Sequence, residues 1–180
     1  VTIYANENES VSSMLNKAQP TVLLSSASGM SSSSSADAIQ GILNQFNLSE
    51  DQAMHVADTV EKLSSEIALD FSKGCDTISQ SIATSGSVVN EAGMSFEKYA
   101  ALVSTTAEKT RVSGSQIGNA FKTIFSRISR SKDGLTTDAE MSDAEAALKS
   151  VGVSVRGADG DLRDISDTLD AVSYTHLTLP

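Results

Sequence analysis

Few residues in this sequence have side chains suited to chemistry. Cys75 is the single thiol, and His55 and His176 are the two imidazoles. A cysteine nucleophile needs a base nearby to hold it as the thiolate. No spacing pattern sets either histidine beside Cys75, which therefore reads as an ordinary packed thiol. One cysteine cannot close an intramolecular disulfide, and one thiol with two imidazoles supplies no metal set at the usual ligand spacing. Asp159-Gly-Asp161 places two carboxylates in a turn, but the further ligands and bidentate glutamate of a calcium loop are missing. Gly114-Ser-Gln-Ile-Gly118 has glycines four apart, without the order or the preceding strand of a phosphate-binding loop. Two such glycines at a helix start more simply permit a close helix contact. Lys122, Arg127 and Arg130 form a candidate basic interaction face. Arg127 and Arg130 also suit the negative end of a helix macrodipole. No catalytic, cofactor-binding or metal-binding residue is expected, and no cofactor.

The elements that would position these residues are helices. Residues 1–35, with Pro20 and the run Ser31 to Ser35, read as an irregular, serine-rich lead-in. From residue 36 the pattern becomes amphipathic. Ile39, Ile42, Leu43 and Phe46 share one face of a helix predicted over 37–46. Ser49 with Gln52 three residues later is a capping box, and Ala53, Val56, Ala57, Val60, Leu63 and Ile67 form the stripe of the helix it starts, with His55 off that stripe. A helix over 73–92, weakened by Gly74 and Gly86, ends where Gly93 suits a left-handed C′ position. Ser95 caps the next helix, which carries Leu102, Val103 and Ala107, and Met94 and Tyr99 are placed as a hydrophobic staple. Ser113 and Gln116 cap a helix with Ile117, Ala120, Phe121, Ile124, Phe125 and Ile128 in register. Ser142 and Glu145 start a short helix that stops at Gly152, and a last helix begins near residue 164. Between them Val153-Ser-Val155, the glycine-rich turn through Gly160, and Leu162 predict one small β-hairpin over 153–163. The fold class is all-α, with about six short helices and that hairpin. The organisation expected is a lead-in over 1–35, a helical core domain over 36–171, and a separate tail over 172–180.

Charge narrows the functions. The chain of 180 residues has 23 acids against 13 bases, a net charge of −10, which argues against nucleic-acid binding by the chain as a whole. The distribution is uneven. Residues 108–132 carry six bases and one acid, a local +5, whereas 49–70 carry a net −5 and 133–170 a net −7. A basic helix thus lies between acidic ones, an arrangement suited to pairing between helices or copies. No apolar run approaches the ~20 residues that span a bilayer, and the start of the chain has no signal-peptide pattern.

The order of segments carries a resemblance. Leu48-Ser-Glu-Asp-Gln-Ala-Met-His-Val-Ala-Asp58, then Gly93-Met-Ser-Phe-Glu-Lys-Tyr-Ala-Ala101, then Ser113-Gly-Ser-Gln-Ile-Gly-Asn-Ala-Phe-Lys-Thr-Ile-Phe-Ser-Arg127 resembles the core region of phage tail tape measure proteins. That family has a helix ending in an Ala-Asp-Thr or Ala-Asp-Val triplet, a Gly-Met-Ser or Gly-Leu-Ser helix start, a Gly-Ser-x-x-Gly-x-Ala helix start, and a glycine-rich hairpin. Ala57-Asp-Thr59, Gly93-Met-Ser95, Gly114 to Ala120, and Gly152-Val-Ser-Val155 with Asp159-Gly-Asp-Leu-Arg163 occupy those places in order, over about 36–170. The family commonly reads Ala-Gly-Thr where this chain has Ile117-Gly-Asn119, which alters any threonine hydroxyl contact there.

The resemblance implies a structural component of a long-tailed bacteriophage or prophage. It would be synthesised in the bacterial host cytoplasm, lie in several copies in the lumen of the virion tail tube, set tail length during assembly and leave with the genome. Implied partners are other copies of itself, tail tube proteins and tail assembly chaperones, with no specific nucleic acid and no membrane contact. Family members are far longer than this chain, so it is expected to be a fragment. Gly93, Ser95, Gly114, Gly118, Gly152 and Gly160 are the expected helix-start and turn positions. Val172-Ser-Tyr-Thr-His-Leu-Thr-Leu-Pro180 abandons the helical period and resembles a translated sequencing-library adapter, so 172–180 are expected to lie outside the fold. The alternative reading is a helical cytoplasmic signalling or adaptor module. Sensory coiled coils need unbroken heptads, which Gly74, Gly86, Gly93 and Gly114 interrupt. Some family members carry a cell-wall hydrolase elsewhere, but no acid pair supports one here.

Overall fold

The computed structural model describes residues 11–66 and 70–130, and beyond them positions 146, 149, 150, 153, 154, 157, 163, 167 and 168. The described part is all-α. Its helices are α1 (Val11–Ser28), α2 (Ser32–Gln45), α3 (Ala53–Glu66), entered through a single 3-10 turn at Glu50–Gln52, α4 (Phe71–Glu91), α5 (Phe96–Thr110) and α6 (Gly114–Arg130).

Helix α4 is the axis of the packing. It lies against α2, α3, α5 and α6, its contact with α6 being the most extensive among the described helices, while α1 packs on α2 and α3. The core is made of aliphatic side chains from every helix: Leu24, then Ile39, Ile42 and Leu43, Val56 and Val60, Ile78 and Ile82, Val103, and Ile117 are all buried. They include the predicted stripes of α2 and α3, except that Leu63 is only partly buried and Ile67 lies outside the described residues. On α6 the stripe is narrower than its period predicts. Ile117 and Phe125 are buried and Phe121 is partly so, but Ala120 and Ile124 face outward, and the Ile128 side chain lies outside the described residues.

Serine and threonine occupy many helical positions, and several satisfy their hydroxyls by bonding the carbonyl one turn back, although the buried Ser35, Ser64 and Ser79 hydroxyls have no such partner. Thr21 donates to the Lys17 carbonyl at 2.7 Å, Ser85 to Ser81 at 2.8 Å and Thr106 to Leu102 at 2.7 Å. Such back-bonding makes a serine-rich sequence compatible with buried helix surfaces.

Helix ends follow local chemistry. After α4, Gly93 adopts φ +90°; its N–H bonds the Asn90 carbonyl at 2.9 Å and that of Met94 bonds Val89 at 3.2 Å. These two bonds are a Schellman motif. Asn47, at φ 51°, closes α2 the same way, with Leu48 N–H on the Leu43 carbonyl at 2.9 Å. Before α3, the Gln52 side-chain oxygen accepts the Ser49 backbone N–H at 3.1 Å. Before α6, Ser113 and Gln116 cap each other reciprocally: Ser113 N–H to the Gln116 side chain at 3.2 Å and Gln116 N–H to Ser113 Oγ at 3.4 Å.

Two expectations need correction. Residues 11–35 are not an irregular lead-in, for α1 runs through Pro20 and α2 begins inside the serine run. Pro20 removes one backbone donor and costs helix stability, yet Pro20, Thr21 and Leu24 are buried, and burial against α2 and α3 overrides the poor local propensity. Ser31 is a helix N-cap, its Oγ accepting the Ser34 N–H at 3.0 Å. The predicted β-hairpin over 153–163 is also not found. No described residue is in a strand, and Val153, Ser154, Gly157 and Arg163 are irregular, the rest of that span lying outside the described residues. A lone two-stranded hairpin is marginal in water, and one Val-Ser-Val segment offers too little apolar area to hold it. The helices expected from Ser142 and from about 164 fall largely outside the described residues, as does the tail over 172–180; Ala146, Lys149 and Ser150, and Asp167 and Thr168, are helical.

Candidate functional site

Of the residues singled out by sequence, Gly114, Gly118 and Gly86 lie where α4 crosses its neighbours. Gly114 and Gly118 stand one helical turn apart on the face of α6 that meets α4. A Cβ on Gly114 would lie 2.3 Å from the Thr77 carbonyl oxygen, and one on Gly118 would lie 2.7 Å from Thr84 Cβ and 2.8 Å from the Ser81 carbonyl oxygen. No real side-chain carbon fits at such distances, so the two backbones touch because these positions have no side chain. On the far side of α4, a Cβ on Gly86 would meet Gln45 Cβ at 2.8 Å. The glycines that weaken α4 by propensity are thus where its neighbours approach it.

Below the glycine contact lies a buried polar knot. The Tyr99 hydroxyl from α5 is 2.5 Å from Ser85 Oγ and 3.1 Å from Ser81 Oγ, both on α4. Ser85 donates to the Ser81 carbonyl, so Tyr99 is the donor to Ser85 and Ser81 the donor to Tyr99. Burial pushes the Tyr99 phenol above its ordinary pKa, against the pull of the Ser81 and Ser85 hydrogen bonds. Around the ring, Phe121 and Phe125 of α6 stand edge-on with centroids 5.6 and 6.3 Å away, and Phe46 at the end of α2 lies at 6.3 Å. Tyr99 therefore joins α2, α4, α5 and α6. Edge-on aromatic pairs of this kind are worth about 0.5–1.5 kcal/mol each beyond their burial.

The remaining predicted positions are more peripheral. Ser95 caps α5, its Oγ accepting the Lys98 N–H at 3.4 Å. Met94 before the cap and Tyr99 after it are both in the buried cluster, as a hydrophobic staple requires. Lys122 is exposed. Arg127 and Arg130 lie within α6, their side chains outside the described residues; at 100° per residue their backbone positions fall on the side of α6 opposite Gly114, Gly118 and Phe125, whereas Lys122 lies about 60° from that contact face, at its edge. So α6 is attached to the bundle by shape and aromatic contact, with the Arg127 and Arg130 positions on its far side and Lys122 exposed beside the contact face. Gly152 and Gly160 lie outside the described residues.

The chemistry available here is meagre. Cys75 is fully buried, and burial raises its thiol pKa, which disfavours the reactive thiolate. His55 Nε2 pairs with Glu97 Oε1 at 2.8 Å on the surface, and that hydrogen bond holds the Glu97 carboxyl below its usual range. Among the described residues, no group of three or more His, Cys, Asp or Glu is placed to hold a metal ion. No described helix is long and apolar enough to cross a membrane.

Sequence reasoning found the glycines and missed the knot. Ser81 and Ser85 were legible as small residues one turn apart, on the same helix as Gly74 and Gly86, a spacing that marks a face open to close approach. Tyr99 was placed only as half of a staple. Its hydroxyl partners lie on another helix, and no local spacing reveals them.

Comparison with known proteins bears on this arrangement. Residues 3–175 match the model of a family described as phage-related minor tail protein. A relative from Escherichia phage P2, named "Probable tape measure protein", is 28% identical over 127 residues, which make up 71% of this chain and 14% of the relative. The chain thus spans about one seventh of the length of the curated relative it matches. No solved structure matches it.

Proposed function

The chain belongs to the phage-related minor tail protein family, and from that premise we propose that it is a segment of a tape measure protein, setting tail length during assembly and released on genome ejection. The observation that carries the reading is the agreement between the family match along 3–175 and an architecture whose selected positions are backbone contacts rather than reactive groups. Gly114 and Gly118 on Thr77 and Ser81, with the Tyr99 knot beneath them, make a tightly fitted helical unit.

In this reading the unit lies in the tube lumen of the virion tail, having been synthesised in the host cytoplasm. It contacts other copies of itself, tail tube proteins and the assembly chaperones. The segment carries no catalysis. Mass spectrometry of purified tails from the virus or prophage encoding it will find peptides from residues 11–130, and a peptidoglycan zymogram of the chain will stay blank. Tails without those peptides, or a cleared band, contradict the reading.

A further inference from the structure

Helix α1 is held to the bundle by different means from the helices beneath it. Its buried residues are Ser13, Lys17, Pro20, Thr21, Leu24 and Ser28, so Leu24 is the one large aliphatic side chain it brings to the core. Val11, Leu15, Val22 and Leu23 are exposed with α1 in place. Helix α4, by contrast, buries Cys75, Ile78, Ile82 and Val89 among α2, α3, α5 and α6. The stabilisation from docking grows with the apolar area removed from water, and lifting α1 away returns little of that area to water.

What stands in place of apolar contact is a polar latch. Lys17 is fully buried; its Nζ donates to Gln40 Oε1 of α2 at 2.7 Å and lies 3.7 Å from Glu50 Oε1 in the 3-10 turn before α3. A buried ammonium that loses a partner while still out of water is strongly unfavourable. With α1 docked, Lys17 has these partners, and with α1 lifted off it has water; half-lifted positions supply neither, so the helix has two states and no gradual loosening between them. Nor does α1 keep its helix once it leaves, for Pro20 and five serines stand among its 18 residues, and a short segment of such composition is not helical by itself. We propose that α1 is a strap that opens and recloses as a unit of its own while α2 to α6 stay folded, with Lys17 on Gln40 and Glu50 as its latch.

Native-state hydrogen exchange of the 180-residue chain, followed by mass spectrometry at low and moderate urea, tests it. The amides of 15–28 are expected to exchange about 100-fold or more faster than those of 78–89, with little dependence on urea, because a small opening exposes little surface. Gln40→Ala keeps the helix propensity of α2 and removes an acceptor from Lys17; it is expected to speed exchange over 15–28 by about tenfold or more and to leave 78–89 unchanged. Exchange over 15–28 that matches 78–89 in rate and urea dependence, or a Gln40→Ala change that moves both stretches together, makes the bundle one cooperative unit and overturns the strap. Fast exchange over 15–28 that Gln40→Ala leaves unmoved overturns Lys17 as its latch.

Discussion

At the scale of single residues, the account turns on side chains that are absent. Gly118→Ala puts a methyl 2.7 Å from Thr84 Cβ and 2.8 Å from a carbonyl oxygen, and overpacking of that kind costs about 1–3 kcal/mol. Gly114→Ala, against the Thr77 backbone at 2.3 Å, costs at least as much, because backbone cannot step aside. Gly41 in α2 meets nothing within 4 Å, so Gly41→Ala gains about 0.5–1 kcal/mol from helix propensity. Urea melts of the three variants will show opposite signs for chemically identical changes. Tyr99 adds a pH signature. Its folded pKa is raised above the ordinary value of 10.0, so above that pH the unfolded phenol loses its proton while the folded one keeps it, and stability falls as pH rises. Tyr99→Phe leaves Ser81 and Ser85 short of a partner, costs about 1–2 kcal/mol near neutrality, and flattens the alkaline decline seen by thermal melts between about pH 9 and 11. An unchanged alkaline slope in the variant would show that another group controls it.

At the scale of elements, the boundaries were legible wherever they were written in caps and turns. Ser95, the Ser113–Gln116 pair and Gly93 each do locally what their residue types dictate. Gly93→Ala is expected to lower the melting temperature, since an alanine at φ +90° pays about 1–2 kcal/mol for the left-handed backbone; an unchanged melt would mean that the α4–α5 turn readily finds another path. Helix α1 was illegible for a physical reason. Period reading assumes that apolar residues point inward, and α1 points them outward, with Pro20 in its interior and serines around it. The hairpin failed in the opposite direction, because a turn signal with alternating valines is only a local preference, and a strand pair needs a third partner or a helix to cover it.

At the scale of the molecule, the net charge of −10 and the local basic stretch of α6 describe surfaces rather than the glue between helices. The bundle is held by close backbone approach at α4, a Tyr99-centred aromatic cluster and small aliphatic stripes, and the Arg127 and Arg130 positions lie on the side of α6 away from it. The stripes were legible from period alone, whereas the α4 crossing was legible only as a glycine spacing, because contact across 30 or more residues of sequence leaves no local pattern. Family membership supplies the setting, a phage tail, and the chain is a small part of the length of its phage P2 relative. The most direct test is an in-frame deletion of residues 36–170 from the gene of the virus or prophage that encodes them, with tails measured by electron microscopy and infectivity by plaque count. The account predicts tails that are missing or of altered length, with infectivity lost; tails of unchanged length on fully infectious particles would contradict it.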